Sequence, residues 1–224
     1  MFRKDPDEVY RDPAFDRFPW LEHGFGTRHT KAWPGDREIA SLRQVHSAVV
    51  IVANGETGCL GEADALIADR PGPLLSVRTA DCLPVLLVDE RLRAVAAIHA
   101  GWRGIVAGVV GAAVDALGRR FGSRPADVYA AIGPGIGACC FQVGPEVAIR
   151  FQELFPERND LDHGTRLDLP ESVRRQLIAA GLDPRRISTS ALCTRCRPEE
   201  FHSWRRDPGE AERMVSAIGW KSRQ

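Results

Sequence analysis

The sequence predicts an α+β fold, a single domain of mixed β-sheets layered with α-helices. Its 224 residues, 44% of them hydrophobic, are enough for one sizeable core. Continuous apolar runs of strand length occur beside segments of helical period, and the two kinds alternate irregularly along the chain. This irregular order favours mixed sheets with helices over a regular βαβ repeat.

The strands predicted first lie at residues 49–53 and 74–77, separated by a glycine-rich stretch. Two nearly continuous apolar runs follow at residues 83–89 and 93–100. Because a turn-like segment at residues 89–92 joins them, these runs predict an antiparallel hairpin. Their lack of polar alternation predicts that both strands are buried on both faces.

A helix is predicted after this hairpin. Apolar side chains recur there at three to four positions, as an amphipathic helix requires: Val106, Val110, Ala113, Leu117 and Phe121. A strand at residues 129–132 then runs into a glycine loop at residues 133–137. Helices at residues 145–155 and 170–180 and a last strand at residues 187–192 complete the predicted order.

The charge balance argues against a nucleic-acid partner. Thirty basic and thirty acidic residues cancel, and local pairs such as Arg205 and Arg206 fit solvated faces. The first twenty residues are polar and contain three prolines, so they predict neither a signal peptide nor a membrane span. We therefore expect a cytoplasmic protein with no membrane partner, whose six cysteines are thiols or metal ligands and not disulfides.

Cys82 and His99 lie at the same end of the predicted hairpin. If its turn is centred between Glu90 and Arg91, these two residues face each other with Cβ atoms about 4.5–5.5 Å apart. That separation suits two ligands of one zinc ion, and His46, shortly before another predicted strand, could supply a third. Two imidazoles and a thiolate are typical of a catalytic zinc site with a fourth position for water or substrate. The alternative is an inert buried cysteine beside a hydrogen-bonded histidine.

The segment after His99 could bind an anion beside the metal. Gly101 would lie at a helix N-terminus, where free amides and the helix dipole favour negative charge. The guanidinium of Arg103 could add donors for a phosphate. Alternatively, the glycines here only permit a tight turn from strand to helix.

Six motifs occur in order between Gln44 and Asp207, and they give the sequence a resemblance to a known family that runs from about residue 24 to residue 214. They are QVH, ADALIAD, TADCLPVLLVD, IHAGWRGI, AIGPGIGACCFQVG and the late CT…FHSWRRD. In this order the motifs resemble the laccase-domain family, which is similar to multicopper polyphenol oxidases and is understood as a family of zinc-dependent purine nucleoside phosphorylases.

The resemblance implies a fold of mixed sheets with helices and one zinc ion on His46, Cys82 and His99. It also implies phosphorolysis of adenosine, inosine, guanosine or methylthioadenosine to free base and ribose 1-phosphate, with adenosine deamination as an additional activity. The expected partners are therefore purine nucleosides and inorganic phosphate. Residues 24–224 would form the catalytic domain after an N-terminal extension of residues 1–23, and the oligomeric state, monomer or small homo-oligomer, stays open.

Further residues could act around the metal, and the resemblance points to the first of them. Arg28, in the early Gly-Phe-Gly-Thr-Arg segment, becomes a candidate for a catalytic contact to phosphate or substrate. Cys140 is expected to line the pocket beside the glycine loop. Asp81 is the first candidate for moving a proton or supporting the adjacent ligand, although a turn carboxylate bonded to backbone amides is an equal alternative. Trp102 and Phe141 could stack on a purine or belong to the core.

A copper-dependent polyphenol oxidase is one competing interpretation, because two histidines and a cysteine can also bind copper. Such copper sites usually add a weak axial methionine, and the methionines of the sequence are Met1 and Met214. This interpretation is therefore the less favoured one.

A structural zinc or redox module is the second competing interpretation. It would use the CxxC motif of Cys193 and Cys196 together with Cys139 and Cys140. No second CxxC motif is present in the sequence, and adjacent cysteines are not expected to point easily at one metal. The sequence therefore favours His46, Cys82 and His99 as the metal site.

Overall fold

Two mixed β-sheets form the framework of the chain, and the computed structural model describes residues 1–31 and 33–222. With strands numbered in chain order, a seven-stranded sheet has the spatial order β1 (Arg3–Lys4), β2 (Val9–Arg11), β3 (Leu21–Gly26), β13 (Met214–Trp220), β8 (Leu74–Thr79), β4 (Ile39–Arg43) and β6 (Gly58–Glu62). A six-stranded sheet has the order β12 (Ile187–Thr189), β11 (Val128–Ile132), β9 (Leu83–Asp89), β10 (Val95–Ala100), β7 (Ala65–Ala68) and β5 (Val50–Val52). Both sheets combine parallel and antiparallel pairs.

The α-helices of the described residues are α1 (Trp102–Val106), α2 (Val109–Phe121), α3 (Pro145–Ala148) and α4 (Leu169–Ala179). Short 3-10 helices lie at Pro13–Arg17, Pro125–Asp127, Ile149–Phe151, Leu161–His163 and Pro184–Arg186. The start of α4 is fixed by Asp168, whose carboxylate accepts the N–H of Glu171 at 2.9 Å, with Pro170 in the first turn. Across residues 1–31 and 33–222, no helix combines the length and apolar character needed to cross a bilayer.

The six-stranded sheet lies between the helices and the seven-stranded sheet. Leu87 of β9 packs in a core cluster with Leu117 of α2, whereas its neighbour Leu86 packs in a second cluster with Phe25 of β3. Successive side chains of a strand point to opposite faces, so both faces of this sheet are covered. All residues of β9 are accordingly buried, as its continuous apolar sequence predicts. This layering of mixed sheets and helices confirms the predicted α+β class.

The hairpin of β9 and β10 forms as predicted, but its register differs from the expected one by two residues. His99 lies opposite Pro84 and not opposite Cys82. The turn is centred later because the Asp89 carboxylate accepts two backbone N–H groups, at 2.7 and 2.8 Å, and Arg93 then adopts a left-handed φ of 59°. A shift of two residues preserves the face to which a side chain points, so Cys82 and His99 still meet.

Two predicted helices differ from the observed ones. The helix expected from Val106 onward is divided at Gly108, whose left-handed φ of 81° separates α1 from α2. The helix predicted at residues 145–155 is α-helical only in α3 and then tightens into a 3-10 turn. Pro156 lies at the end of this segment, and a proline disfavours α-helical geometry in the residue before it.

The prediction of residues 187–192 as the last strand is wrong. Strand β12 ends at Thr189, and Ala191 takes a left-handed φ of 56°, which interrupts extended structure. A later strand, β13, occupies the middle of the seven-stranded sheet between β3 and β8. Its sequence MVSAIGW contains small residues that weaken the apolar pattern of a strand.

Residues 1–23, expected as an extension, contribute to the seven-stranded sheet. They form β1, β2 and the first half of β3, and the side chains of Val9 and Phe15 are buried. The expected boundary at residue 24 therefore falls inside a strand.

Candidate metal centre and adjoining cavity

Three side chains of the predicted metal site meet beside one end of the central strands β9 and β10 of the six-stranded sheet. His46 lies in the loop between β4 and β5, Cys82 directly precedes β9, and His99 lies near the end of β10. One ligand atom from each lies within 4.8 Å of the others, and Cys82 Sγ is 3.9 Å from His46 Nε2. His99 is buried whereas His46 is exposed, so the group is accessible from one side. These residues could hold one metal ion.

Asp64 is the residue that organises this group. Its fully buried carboxylate accepts a hydrogen bond from the N–H of His46 at 3.0 Å and from Ser47 Oγ at 2.8 Å. It also lies 2.7 Å from His99 Nδ1. A carboxylate on Nδ1 fixes the ring orientation and leaves Nε2 for a metal. Asp64 therefore positions two of the three candidate ligands.

The backbone of the site is held in unusual conformations. His46 has a φ of 61° and Asp81, next to Cys82, has a φ of 86°, both in the left-handed region. Non-glycine residues in such conformations cost of order 1–3 kcal/mol each and persist only where surrounding contacts impose them. At His46 the imposing contact is the Asp64 carboxylate.

The protonation states of the three groups are strongly coupled. Burial raises the pKa of the Cys82 thiol, but the imidazoles of His46 and His99 lower it to about 6. Burial lowers the pKa of His99, but Asp64 and Cys82 raise it to about 9. Burial raises the pKa of Asp64, but hydrogen bonds from His99 and Ser47 lower it to about 2. With no metal bound, these shifts favour a Cys82 thiolate beside a His99 imidazolium near neutral pH. A metal ion that binds His99 would therefore displace the imidazolium proton.

We expect Asp64→Asn to weaken metal binding by about 10–100-fold, the range found when a hydrogen-bond partner of a metal ligand is changed. Asparagine keeps the size of the side chain but supplies an amide where the loop and His99 require a carboxylate. Competition with a chromophoric zinc chelator measures the affinity. Asp115→Asn, at an exposed carboxylate of α2, is the matched control. Equal zinc affinity in the two variants would contradict the role given to Asp64.

Gly101 lies against two of the candidate ligands, His46 and Cys82. A Cβ atom at this position would be 2.8 Å from His46 Cδ2 and 2.9 Å from Cys82 Sγ, closer than van der Waals contact allows. We therefore expect Gly101→Ala to displace a ligand and to lower metal affinity by about tenfold or more. Isothermal titration with zinc measures this effect.

Gly111→Ala is the control for that substitution. Gly111 lies inside α2, and a Cβ atom there meets no other atom within 4 Å. This variant should bind zinc normally and gain about 0.5–1 kcal/mol of stability, since alanine is the better helix former. Normal zinc binding by Gly101→Ala would show that the ligands tolerate the added methyl group.

A cavity of about 480 Å³ opens beside the three candidate ligands, all of which line it. Its arginines are Arg78, Arg103, Arg205 and Arg213. Its aromatic residues are Trp102, Trp204 and Phe141. Among the described residues, Asp81 is the one acidic group of the lining. The cavity thus combines positive charge for an anion with flat apolar surfaces for a ring.

The arginines and aromatic residues of the cavity are paired. The Arg103 guanidinium lies 4.4 Å from the ring centroid of Trp102, and that of Arg213 lies 5.2 Å from the ring of Trp204. The ring faces attract the cations and help to orient them. These stacked pairs bring positive charge and an aromatic surface to the same walls.

Asp81 lies in the lining, but its carboxylate is already bonded. It accepts Thr194 Oγ1 at 2.6 Å and the N–H of Arg205 at 2.6 Å, and its backbone carbonyl accepts the N–H of Ile136 at 2.8 Å. These contacts match the alternative of a turn carboxylate bonded to its surroundings. They fix three cavity-wall segments around Cys82.

Arg28 and Cys140, which were also predicted to contact substrate or line the pocket, are not among the described residues that line this cavity. Arg28 is exposed, and its guanidinium donates to the carbonyl of Pro198 at 2.5 Å. Cys140 Sγ lies 3.3 Å from the sulfur of Cys196. Gly101 is the residue before α1, which has only five residues, so the dipole available for an anion there is smaller than the predicted long helix would supply.

Several residues of the site were not singled out from the sequence. Asp64 stands in the ADALIAD motif directly before an apolar strand, and an acidic residue at such a position is a usable signal. Trp204 and Arg205 stand in the late FHSWRRD motif. Arg78 carries no local signal, because β8 and the start of β13 bring it close to Arg213 only in the folded sheet.

The chain is similar to known proteins over nearly its whole length. Residues 27–221 match the family described as multi-copper polyphenol oxidoreductase laccase. The purine nucleoside phosphorylase YlmD of Geobacillus stearothermophilus is 38% identical over 162 residues, which are 70% of this chain and 59% of YlmD. The adenosine deaminase RL5, from an unknown prokaryotic organism, is 35% identical over 184 residues, 75% of this chain and 70% of RL5.

The fold comparison agrees with the sequence comparison. The crystal structure of YlmD from Geobacillus stearothermophilus superimposes with a TM-score of 0.88 and 28% identity, covering 99% of both chains. By sequence alignment, however, the chain spans only 59% of the length of that relative. The resemblance seen in the motifs is thus confirmed, and the chain belongs to the laccase-domain family, whose relatives bear the names purine nucleoside phosphorylase and adenosine deaminase.

Proposed function

We propose that this protein is a zinc-dependent purine nucleoside phosphorylase, with adenosine deamination as an additional activity. The observation that carries the proposal is the opening of the His46, Cys82 and His99 group into a cavity with arginine and aromatic walls. Its volume, about 480 Å³, lies in the range of small-molecule sites. The proposal covers adenosine, inosine, guanosine and methylthioadenosine as substrates and assigns catalysis to residues 24–224.

The donor set fits zinc. Two imidazoles and one thiolate with an accessible side are the ligands of a catalytic zinc site, and the Asp64 carboxylate supplies the usual support to a ligating histidine. Gly101 adds to the fit, because a side chain there would occupy the space between His46 and Cys82. When bound, the ion would act as a Lewis acid and neutralise negative charge.

Copper is the less suitable ion for this donor set. A blue-copper site usually adds a weak axial methionine. Met214 is buried in β13 and is not among the described residues that line the cavity. The copper-dependent polyphenol oxidase therefore stays the second candidate.

The chain's own residues would bind and orient the substrates. We assign phosphate binding to Arg103 and Arg78, whose guanidinium groups are exposed at the cavity. Trp102, Trp204 and Phe141 offer ring faces for the purine. Asp81 positions the walls of the cavity, and Arg28 has no part in the proposal since it lies outside the lining.

In phosphorolysis a phosphate oxygen forms a bond to C1′ of the ribose while the C1′–N9 bond breaks. The electron pair of that bond leaves with the purine. The arginines would hold the anionic nucleophile against C1′, and this positioning and charge neutralisation supply most of the rate enhancement. In deamination, water would add at C6 of adenine and ammonia would leave, an activity supported by the name of the relative RL5.

The test is to incubate purified zinc-loaded protein with a panel of purine nucleosides, with and without phosphate, and to identify the products. Phosphate-dependent release of free base and ribose 1-phosphate supports the proposal. Release of inosine and ammonia from adenosine supports the second activity. Absence of turnover of every nucleoside would count against both.

Copper-loaded protein is the comparison, assayed with and without oxygen. Nucleoside turnover that requires copper and oxygen would overturn the zinc assignment. The cytoplasmic location and a monomeric or small homo-oligomeric state stay predictions from the sequence.

A further inference from the structure

A second group of potential metal ligands lies outside the His46, Cys82 and His99 site. Its members are four cysteines whose sulfur atoms all lie within 4.8 Å of one another: Cys139, Cys140, Cys193 and Cys196. Cys196 Sγ is 3.5 Å from Cys139 Sγ and 3.3 Å from Cys140 Sγ. We propose that this tetracysteine cluster binds a second zinc ion through four thiolates.

The spacing of the sulfurs suits a tetrahedral metal. With zinc–sulfur bonds of about 2.3 Å, the sulfurs of a tetrahedral site are about 3.8 Å apart. The observed separations of 3.3 and 3.5 Å lie just below that value, and the upper limit of 4.8 Å for all pairs lies above it. A disulfide needs about 2.05 Å and joins sulfurs in pairs. Here Cys196 approaches two sulfurs at similar distances, which favours one shared ion over a pair of disulfides.

The backbone explains how adjacent cysteines reach one point, against the expectation from the sequence. The N–H groups of Cys140 and Phe141 both donate to the carbonyl of Gly137, at 2.9 and 3.0 Å, and so form a tight turn at Cys139. This turn directs both sulfurs to the same side. The objection raised against adjacent cysteines therefore does not hold in this fold.

The second half of the cluster is fixed to the first by backbone contacts. Gly135 and Cys193 form a parallel bridge, in which the N–H of Thr194 donates to the carbonyl of Gly135 at 3.0 Å and the N–H of Gly135 donates to the carbonyl of Leu192 at 3.2 Å. The two cysteine pairs, far apart in sequence, are thus held together independently of any ion.

Gly137 provides the surroundings that a thiolate needs. Its N–H donates to Cys193 Sγ at 3.3 Å, and such N–H contacts stabilise the negative charge of metal-bound sulfur. A Cβ atom on Gly137 would lie 3.4 Å from both Cys139 Sγ and Cys193 Cβ, in ordinary van der Waals contact, so Gly137 borders both halves of the cluster.

A zinc ion in the tetracysteine cluster would stiffen one wall of the cavity. Cys140 is followed by Phe141, which lines the cavity, and Thr194 lies between the cysteines of the CxxC motif and donates to Asp81. Four ligands leave no open position, as in structural zinc sites. The role inferred is therefore structural, and it does not depend on the proposed function.

The test counts metal ions in the full-length chain, reduced, stripped of metal and then loaded with zinc without oxygen. Elemental analysis should find two ions per chain in the unaltered protein and one in Cys196→Ser. Cys82→Ser should also keep one, which separates this site from the proposed catalytic one. Cys59→Ser, at an exposed cysteine of β6 outside both groups, should keep two.

Cobalt(II) loading is a second measurement that needs no variant. Four thiolates give intense charge-transfer bands and tetrahedral d–d bands, whereas one thiolate with two imidazoles gives weaker ones. The proposal expects the strong bands in the unaltered protein and in Cys82→Ser, and their loss in Cys196→Ser. A single ion per chain, absent from Cys82→Ser, would overturn it. Conversion of the four thiols to disulfides in the presence of excess zinc and reductant would overturn it as well.

Discussion

Replacing Cys82 with serine should abolish tight zinc binding at the His46 and His99 site and reduce nucleoside turnover by more than about 100-fold. The thiolate is the one anionic ligand of the three, and a serine hydroxyl is a poor zinc ligand near neutral pH. Changing only the hydrogen-bond partner of a ligand already costs about 10–100-fold, so loss of the ligand itself should exceed that range. Chelator competition measures the zinc affinity, and phosphate-dependent base release measures turnover.

This experiment is sharpest in a Cys196→Ser background, where the tetracysteine cluster no longer contributes to the metal count. Cys59→Ser in the same background controls for the loss of a thiol, since Cys59 is exposed on β6. If Cys82→Ser kept its zinc affinity and its turnover, the metal that supports activity would have to bind elsewhere.

The strands buried on both faces are the part of the fold that the sequence predicts best. The run of β9 has no polar residue before Asp89, and only a sheet covered on both sides accommodates such a run. The register of the hairpin is a different matter, because it depends on the turn. In the turn, the Asp89 side chain accepts backbone N–H groups and Arg93 adopts a left-handed conformation. The apolar pattern of the strands predicts neither of these features.

The central strand of the seven-stranded sheet illustrates what the sequence does not show. In β13, Ser216 lies opposite Phe25 of β3 and Val77 of β8, partners that come from distant parts of the chain. The strand is stabilised by these neighbours and not by its own residue preferences, which include serine, alanine and glycine. Local reasoning therefore misses it.

The meeting of the candidate ligands Cys82 and His99 was predictable in spite of the register error. Cys82 and His99 both stand at the ends of strongly apolar strands, and an error of two residues leaves side chains on the same face of a sheet. Asp64 was harder to find, because its importance arises from contacts to the His46 loop and to His99 that exist only in the folded chain. The same holds for the arginines of the cavity, which come from four separate segments.

Lowering the pH from about 6.5 towards 3 should destabilise the protein strongly through His23. The expected loss in the free energy of unfolding is about 4–5 kcal/mol at most. His23 is only 6% exposed in β3, and its Nε2 accepts the N–H of Asp12 at 2.9 Å. Burial, and then the charges of Arg11 and Lys221, lower its pKa from 6.5 to about 3. Between these pH values the unfolded chain binds a proton at His23 that the native protein does not bind. The stability associated with neutral His23 is therefore fully present above pH 6.5 and is lost as the pH falls to 3.

The variant His23→Gln isolates this contribution, because glutamine can still accept the N–H of Asp12 but does not titrate. We expect its free energy of unfolding in urea to fall less steeply than that of the unaltered protein between pH 6.5 and 4. His163→Gln, at a side chain that is 80% exposed, should follow the unaltered protein. Parallel curves for His23→Gln and the unaltered protein would mean that His23 is not kept neutral by the fold. Asp64 cannot imitate the expected result, since its lowered pKa of about 2 removes stability only at lower pH, below its ordinary value of 3.8.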